Sequence, residues 1–111
     1  MKQFEESETT TFHMQMLSKI IDMDRYPLTK LVIEKNLSKY EFEEMISLLE
    51  GLQKKYKGQK EEGLLDFSGL LVHFAGMLNE KLEPTSTIYA LKKEGYYPSL
   101  MSEFLEVLTR K

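Results

Sequence analysis

Apolar residues recur along this chain at helical spacing, and no run of alternating β-branched residues bounded by turn signals suggests a strand. From Thr10 to Met23 the apolar positions are Phe12, Met14, Met16, Leu17, Ile20, Ile21 and Met23. At about 100° per residue they cover roughly 200° of a helix. One docked face needs only about 100°, so this helix has apolar surface for a second neighbour. Pro27 opens a short helix reaching about Lys35, because proline suits the first helical position and pushes Tyr26 out of the α region. Asn36 fits the left-handed residue just past a helix end. Ser38 and Glu41 then have the spacing of a capping box, with Leu37 and Phe42 at the staple positions. Phe42, Met45, Ile46, Leu49, Leu52 and Tyr56 form the apolar stripe of a long helix that ends before Gly63.

Next comes Phe67–Leu78, twelve residues without Asp, Glu, Lys or Arg. A bilayer takes roughly 20 apolar residues, so this segment is too short to span one. A helix with no charged face is normally enclosed by protein, which predicts a central helix capped by Asp66 and continuing through Leu82. Pro84 opens a short helix stopped by Gly95, with Ile88 and Leu91 as its contacts. Pro98 opens the last helix, whose stripe is Tyr97, Leu100, Met101, Phe104, Leu105 and Leu108. The expected fold is all-α: a single compact domain of about six helices in an orthogonal or irregular bundle over residues 10–111, behind a polar, frayed tail at 1–9.

Composition narrows the chemistry. The chain has 111 residues and no Cys, which removes thiol nucleophiles, thiolate metal sites and disulfides and suits a reducing cytoplasm. The N-terminus MKQFEESETTTF lacks the basic start and apolar run of a signal peptide. A net charge of −3 gives no global attraction to nucleic acid or anionic lipid. Cytoplasmic localisation is the resulting expectation.

Four blocks carry a resemblance. Asp22-Met23-Asp24-Arg25-Tyr26-Pro27, Asn36-Leu37-Ser38-Lys39, Phe74-Ala75-Gly76 and Leu78-Asn79-Glu80-Lys81-Leu82 resemble, in order and spacing, the YhaI-like family of small uncharacterised bacterial proteins. The similarity runs from about His13 to Leu108. It implies a small, all-helical, cytoplasmic bacterial protein and no particular activity, since the family is one of unknown function. Asn36 stands where the family pattern has glycine. Gly69, His73 and the acidic segment before Phe12 lie outside that pattern.

Candidate chemistry is sparse. The DMDRYP corner, with Asp22, Asp24, Arg25 and Tyr26, offers a charged cluster for a ligand or partner. Its plainer role is capping, Asp24 accepting from the first N–H groups of the second helix. Asn79 suits a hydrogen bond to a ligand or a neighbouring loop, and Lys81 suits the C-terminal end of its own helix. His73 shares a face with Gly69 and Gly76, where small residues admit another backbone or line a groove. His13 lies within the wide apolar arc of the first helix, suited to a core or interface hydrogen bond. Neither histidine follows a glutamate at the Glu-x-x-His spacing of two-metal bundles, and HExxH, GxxxxGK[ST] and GxSxG are absent. No catalytic residue, metal site or cofactor is expected, and no enzyme.

The short helix Leu28–Lys35, the turn at Asn36-Leu37 and the helix from Lys39 could be drawn as a helix-turn-helix, but the would-be reading helix opens with Glu41, Glu43 and Glu44 against a single Lys39, and those carboxylates would face phosphates. Lys54, Lys55, Lys57 and Lys60 form the one basic patch and also suit a helix C-terminus. Nucleic-acid binding therefore ranks third. What remains is surplus apolar surface and seven methionines, side chains that adapt to varied partners. The leading expectation is a non-catalytic interaction or regulatory module, a homodimer whose interface includes His13, Met14, Leu17 and Ile21 and which acts on an unidentified protein partner. The alternative is a nucleotide or metabolite sensor lined by His73, Gly76 and Asn79, with the DMDRYP corner as its rim.

Overall fold

A computed structural model describes residues 2–110, with side chains from Ser7 onward. It is all-α, with α1 at Lys2–Leu17, α2 at Pro27–Glu34, α3 at Lys39–Glu61, α4 at Ser68–Met77, α5 at Pro84–Lys93 and α6 at Pro98–Thr109. A 3₁₀ turn at Met23–Arg25 joins α1 to α2. No strand occurs among the described residues.

The core belongs to α2–α6. Helix α5 packs on α6 and α2, while α4 packs on α3 and α6. Leu28, Leu49, Leu52, Phe74, Ile88, Leu91, Leu100, Met101 and Phe104 are fully enclosed. Two aromatic pairs tie the layers, Phe74 with Phe104 at 5.7 Å and Tyr56 with Phe67 edge-on at 4.9 Å. Among the described residues Thr87 is the one buried polar residue, and its hydroxyl donates to the Glu83 carbonyl at 2.7 Å. Helix starts follow the local chemistry. Ser38 Oγ accepts from the Glu41 N–H and Glu41 returns the bond to the Ser38 N–H, which completes the capping box. Glu83 accepts from the Thr85 and Ser86 N–H groups at the head of α5, which lowers its carboxyl below the ordinary range.

Three expectations are corrected. Helix α1 begins at Lys2 and stops at Leu17, so it occupies much of the segment read as a tail and ends short of Met23. At its exit the Ser18 hydroxyl bonds the Gln15 carbonyl at 2.6 Å, and Lys19 and Ile20 close 3₁₀-type bonds to Met16 and Leu17. That tightening ends the helix before the two consecutive β-branched residues.

Helix α4 ends at Met77 instead of Leu82. The reason is Asn79, whose Oδ1 accepts the Lys81 N–H at 2.9 Å and so offers the backbone a turn in place of helical bonding.

Finally, α4 is not enclosed. Leu70, Leu71 and Phe74 are buried, but Gly69, Val72, His73, Ala75, Gly76 and Met77 face solvent, Val72 with 71% of its surface exposed. The neighbours cover one face only, and the opposite face is small and apolar instead of charged. Asp66 does stand at the head of α4, accepting from the Ser68 N–H and hydroxyl; these bonds lower its carboxyl.

Candidate interaction surface

Helix α1 stands away from the bundle, and the molecule is correspondingly elongated at 58 × 26 × 23 Å. Every described side chain from Ser7 to Asp22 is exposed. The apolar arc is present, but among the described residues it is left open to solvent. Phe12, Met14, Met16, Leu17, Ile20 and Ile21 all face water, Ile20 with 80% of its surface. His13 sits on the same helix with its ring 6.1 Å from that of Phe12. Thus His13, Met14, Leu17 and Ile21 form part of one exposed surface on α1 and the turn behind it. Between Glu8 and Lys19 this segment carries no Asp, Glu, Lys or Arg.

The DMDRYP corner forms the joint between arm and bundle. Asp22 Oδ1 accepts the Asp24 N–H at 3.2 Å, which sets up the 3₁₀ turn. The cap of α2 differs from expectation. Tyr26 at the N-cap contributes no side-chain bond. Instead Glu94, beyond the end of α5, reaches across with both oxygens: Oε2 accepts the Thr29 N–H at 3.1 Å and Oε1 the Thr29 hydroxyl at 2.9 Å. A free N–H near the start of a helix is thereby satisfied from 65 residues away. Arg25 and Tyr26 line a cleft of about 570 Å³ with Thr29, Lys93, Glu94, Gly95 and Tyr96. Its polar side chains are two cations, two phenols, the Thr29 hydroxyl and the Glu94 carboxylate.

Asn79 lies elsewhere. It borders a smaller cleft of about 180 Å³ with Glu41, Glu44, Met45, Leu48, Met77 and Leu78. Its Nδ2 donates to Glu41 Oε2 at 2.9 Å, while Lys81 Nζ donates to Glu41 Oε1 at 2.7 Å and to the Asn36 carbonyl at 3.2 Å. Lys81 therefore complements the C-terminal end of α2 and not that of its own helix. The Lys81 ammonium and the Ser38 N–H hold the Glu41 carboxyl down at about 2. The blocks Asn36–Lys39 and Leu78–Leu82, distant in sequence, are joined by this clip.

The residues proposed for one ligand pocket are thus distributed. Arg25 and Tyr26 precede α2, whereas Asn79 meets the residues that follow it, about 12 Å away for an eight-residue helix. His73 and Gly76 are exposed on α4 and line neither cleft. Glu94 and Glu41 are the side chains that sequence reading passed over as long-range partners. For Glu94 no local signal existed; for Glu41 the capping box explained the residue fully and hid its second role.

Among the described residues, no group of three or more His, Cys, Asp or Glu is gathered as a metal site would require. No helix among them is long and apolar enough to cross a membrane. Over residues 1–109 the chain matches the family model described as protein of unknown function (DUF1878), and it belongs to that family.

Proposed function

We propose that this protein is a non-catalytic interaction module that self-associates through α1, as a homodimer, and regulates another protein. The observation that supports it most is the exposed apolar arm. Burying a large apolar side chain is worth about 1.5–3 kcal/mol, and six such side chains on α1 and its turn lie open. Exposed apolar surface of this extent marks an interaction site. The same reading takes the protein as cytoplasmic and bacterial, in keeping with the resemblance to YhaI-like proteins, and assigns it no cofactor, membrane or nucleic-acid partner. The exposed Glu43 and Glu44 at the start of α3 support the last point, because they would oppose phosphates.

Light scattering on the wild type and on Leu17→Glu tests the proposal. A wild-type dimer and a folded Leu17→Glu monomer are expected. A monomeric wild type at tens of micromolar would refute it.

A ligand-sensing reading is supported by the cleft at Arg25 and Lys93, whose two cations and two tyrosines suit an anionic metabolite. A thermal-shift screen with nucleotides and carboxylates distinguishes it. A rise in midpoint abolished by Arg25→Ala would favour a sensor, and a flat response would remove it.

A further inference from the structure

Two exposed surfaces of this molecule share one property. The arm segment Thr9–Ser18 and helix α4 each run ten residues without Asp, Glu, Lys or Arg, and each therefore spans roughly 15 Å. Neither surface is covered among the described residues. Resting on the self-association reading above, we propose that the arm of one copy lies along the open α4 face of a second copy, and that the exchange is reciprocal.

Area favours this over pairing of arms alone. A large apolar side chain removes on the order of 100 Å² of apolar surface when fully buried, so the six arm side chains, about half exposed, offer roughly 300 Å². A standard interface takes about 800 Å² from each partner, of which roughly 450 Å² is apolar. The arm by itself falls short. Val72 and Met77 on α4, with Leu64 and Leu65 in the link leading into it, are 55–71% exposed and close the gap. A reciprocal exchange uses both patches in each copy, as a two-fold interface requires.

Charge then sets the direction. The first half of the arm carries Glu5, Glu6 and Glu8 against a single Lys2. Next to the head of α4 is the C-terminal part of α3, since Phe67 packs on Tyr56 and Lys60 Nζ stands 5.1 Å over the Tyr56 ring. That part presents Lys54, Lys55, Lys57 and Lys60, all exposed, against Glu61 and Glu62. The ion pairs among the described residues do not engage these four lysines. An arm lying parallel to α4 places its uncharged half over the uncharged helix and its acidic half toward the lysines. Gly69 and Gly76 on the open face have nothing within 4 Å of where a Cβ would stand, so they leave room for a second backbone to approach.

The test uses light scattering on the wild type, Leu17→Glu, Val72→Glu and an equimolar mixture of the two variants. Circular dichroism would establish that both variants fold. The wild type should be dimeric and each variant monomeric. The mixture should recover a heterodimer, because one unaltered arm still meets one unaltered α4 face, with affinity at least tenfold below wild type. A Val72→Glu protein that stays dimeric would overturn the exchange while leaving self-association standing; a monomeric wild type would overturn both. The absence of native cysteine allows a second measurement. Mixed Met14→Cys and Val72→Cys single variants should form a disulfide between copies under mild oxidation. The absence of a mixed disulfide between the two single variants would refute the placement.

Discussion

Lys81 Nζ lies 2.7 Å from Glu41 Oε1, and through this pair the loop after α4 is fastened to the head of α3. Glu41 also accepts from the Ser38 N–H and from Asn79 Nδ2, so one carboxylate serves a helix cap and a tertiary clip together. The blocks Asn36–Lys39 and Leu78–Leu82 meet at this residue.

Stability should fall in acid through Glu41 in a defined window. Its folded value of about 2 lies below the ordinary 4.5, so the charged form is favoured by folding. The contribution is present above about pH 4.5 and is lost as pH falls toward 2. Glu41→Gln keeps a capping-box residue and removes the charge together with one of the two acceptor oxygens. Urea denaturation should therefore show wild type ahead of Glu41→Gln at pH 7, with the gap narrowing below pH 4.5 and closing near 2. Asp66 and Glu83 are lowered too, but both proteins share them, so the difference isolates Glu41. A gap constant with pH would contradict the assignment.

Glu94, and not Asp24, should carry the cap of α2. Replacing an N-terminal cap residue costs about 0.5–2 kcal/mol. Glu94→Ala should fall in that range because both of its bonds to Thr29 are lost. Asp24→Ala should stay within about 0.5 kcal/mol, since Asp24 is exposed and only its backbone N–H is engaged, to Asp22. Chemical denaturation of the two variants separates the assignments.

Helix α4 should be sensitive on one face alone. Phe74 is wholly enclosed and packs on Phe104, so Phe74→Ala should cost about 3–5 kcal/mol. Val72→Ala, two residues away, should change the stability of the dilute monomer by less than about 0.5 kcal/mol. Denaturant midpoints measured at low protein concentration compare the two directly.

Local chemistry was legible and long-range chemistry was not. The Ser38–Glu41 box, the prolines opening α2, α5 and α6, and Asn36 as a left-handed stop at φ 54° all stand where residue type places them. Each depends on contacts within four residues. Glu94 capping Thr29 and Lys81 reaching Asn36 depend on the tertiary arrangement, which no periodicity encodes. Asn79 reads as one more position in a helical run until Glu41 arrives to hold its amide and turn it into a stop. The absence of charge on α4 suggested enclosure, because a charged face is the usual sign of solvent. The same pattern is produced by a face of Gly, Ala, Val and His left open. The apolar arc of α1 was visible in the sequence; that it is left open to solvent among the described residues follows only from where α2–α6 close their own core.

The glycines of α3 and α4 should divide by what faces them. Gly51, Gly58, Gly69 and Gly76 are all within helices, with open space where a Cβ would stand, so alanine fits each without strain. Glycine in a helix interior costs roughly 0.5–1 kcal/mol relative to alanine, so each Gly→Ala change should stabilise the monomer by about that amount. Gly63 and Gly95, at φ 79° and 86°, should show the opposite sign, because alanine is strained there. Self-association should sort the first four differently. If a second copy's arm lies on α4, Gly69→Ala and Gly76→Ala hold the backbones apart and weaken the dimer even as they stabilise the monomer. Gly51→Ala, on α3 before the lysines, gains the same helix propensity and leaves the dimer unchanged, while Gly58→Ala, among the lysines, gains the propensity alone as its monomer readout. Paired measurements of melting midpoint and dimer dissociation constant for the four variants read both effects. A helix that becomes more stable while its dimer weakens indicates that its glycines serve a contact outside the chain.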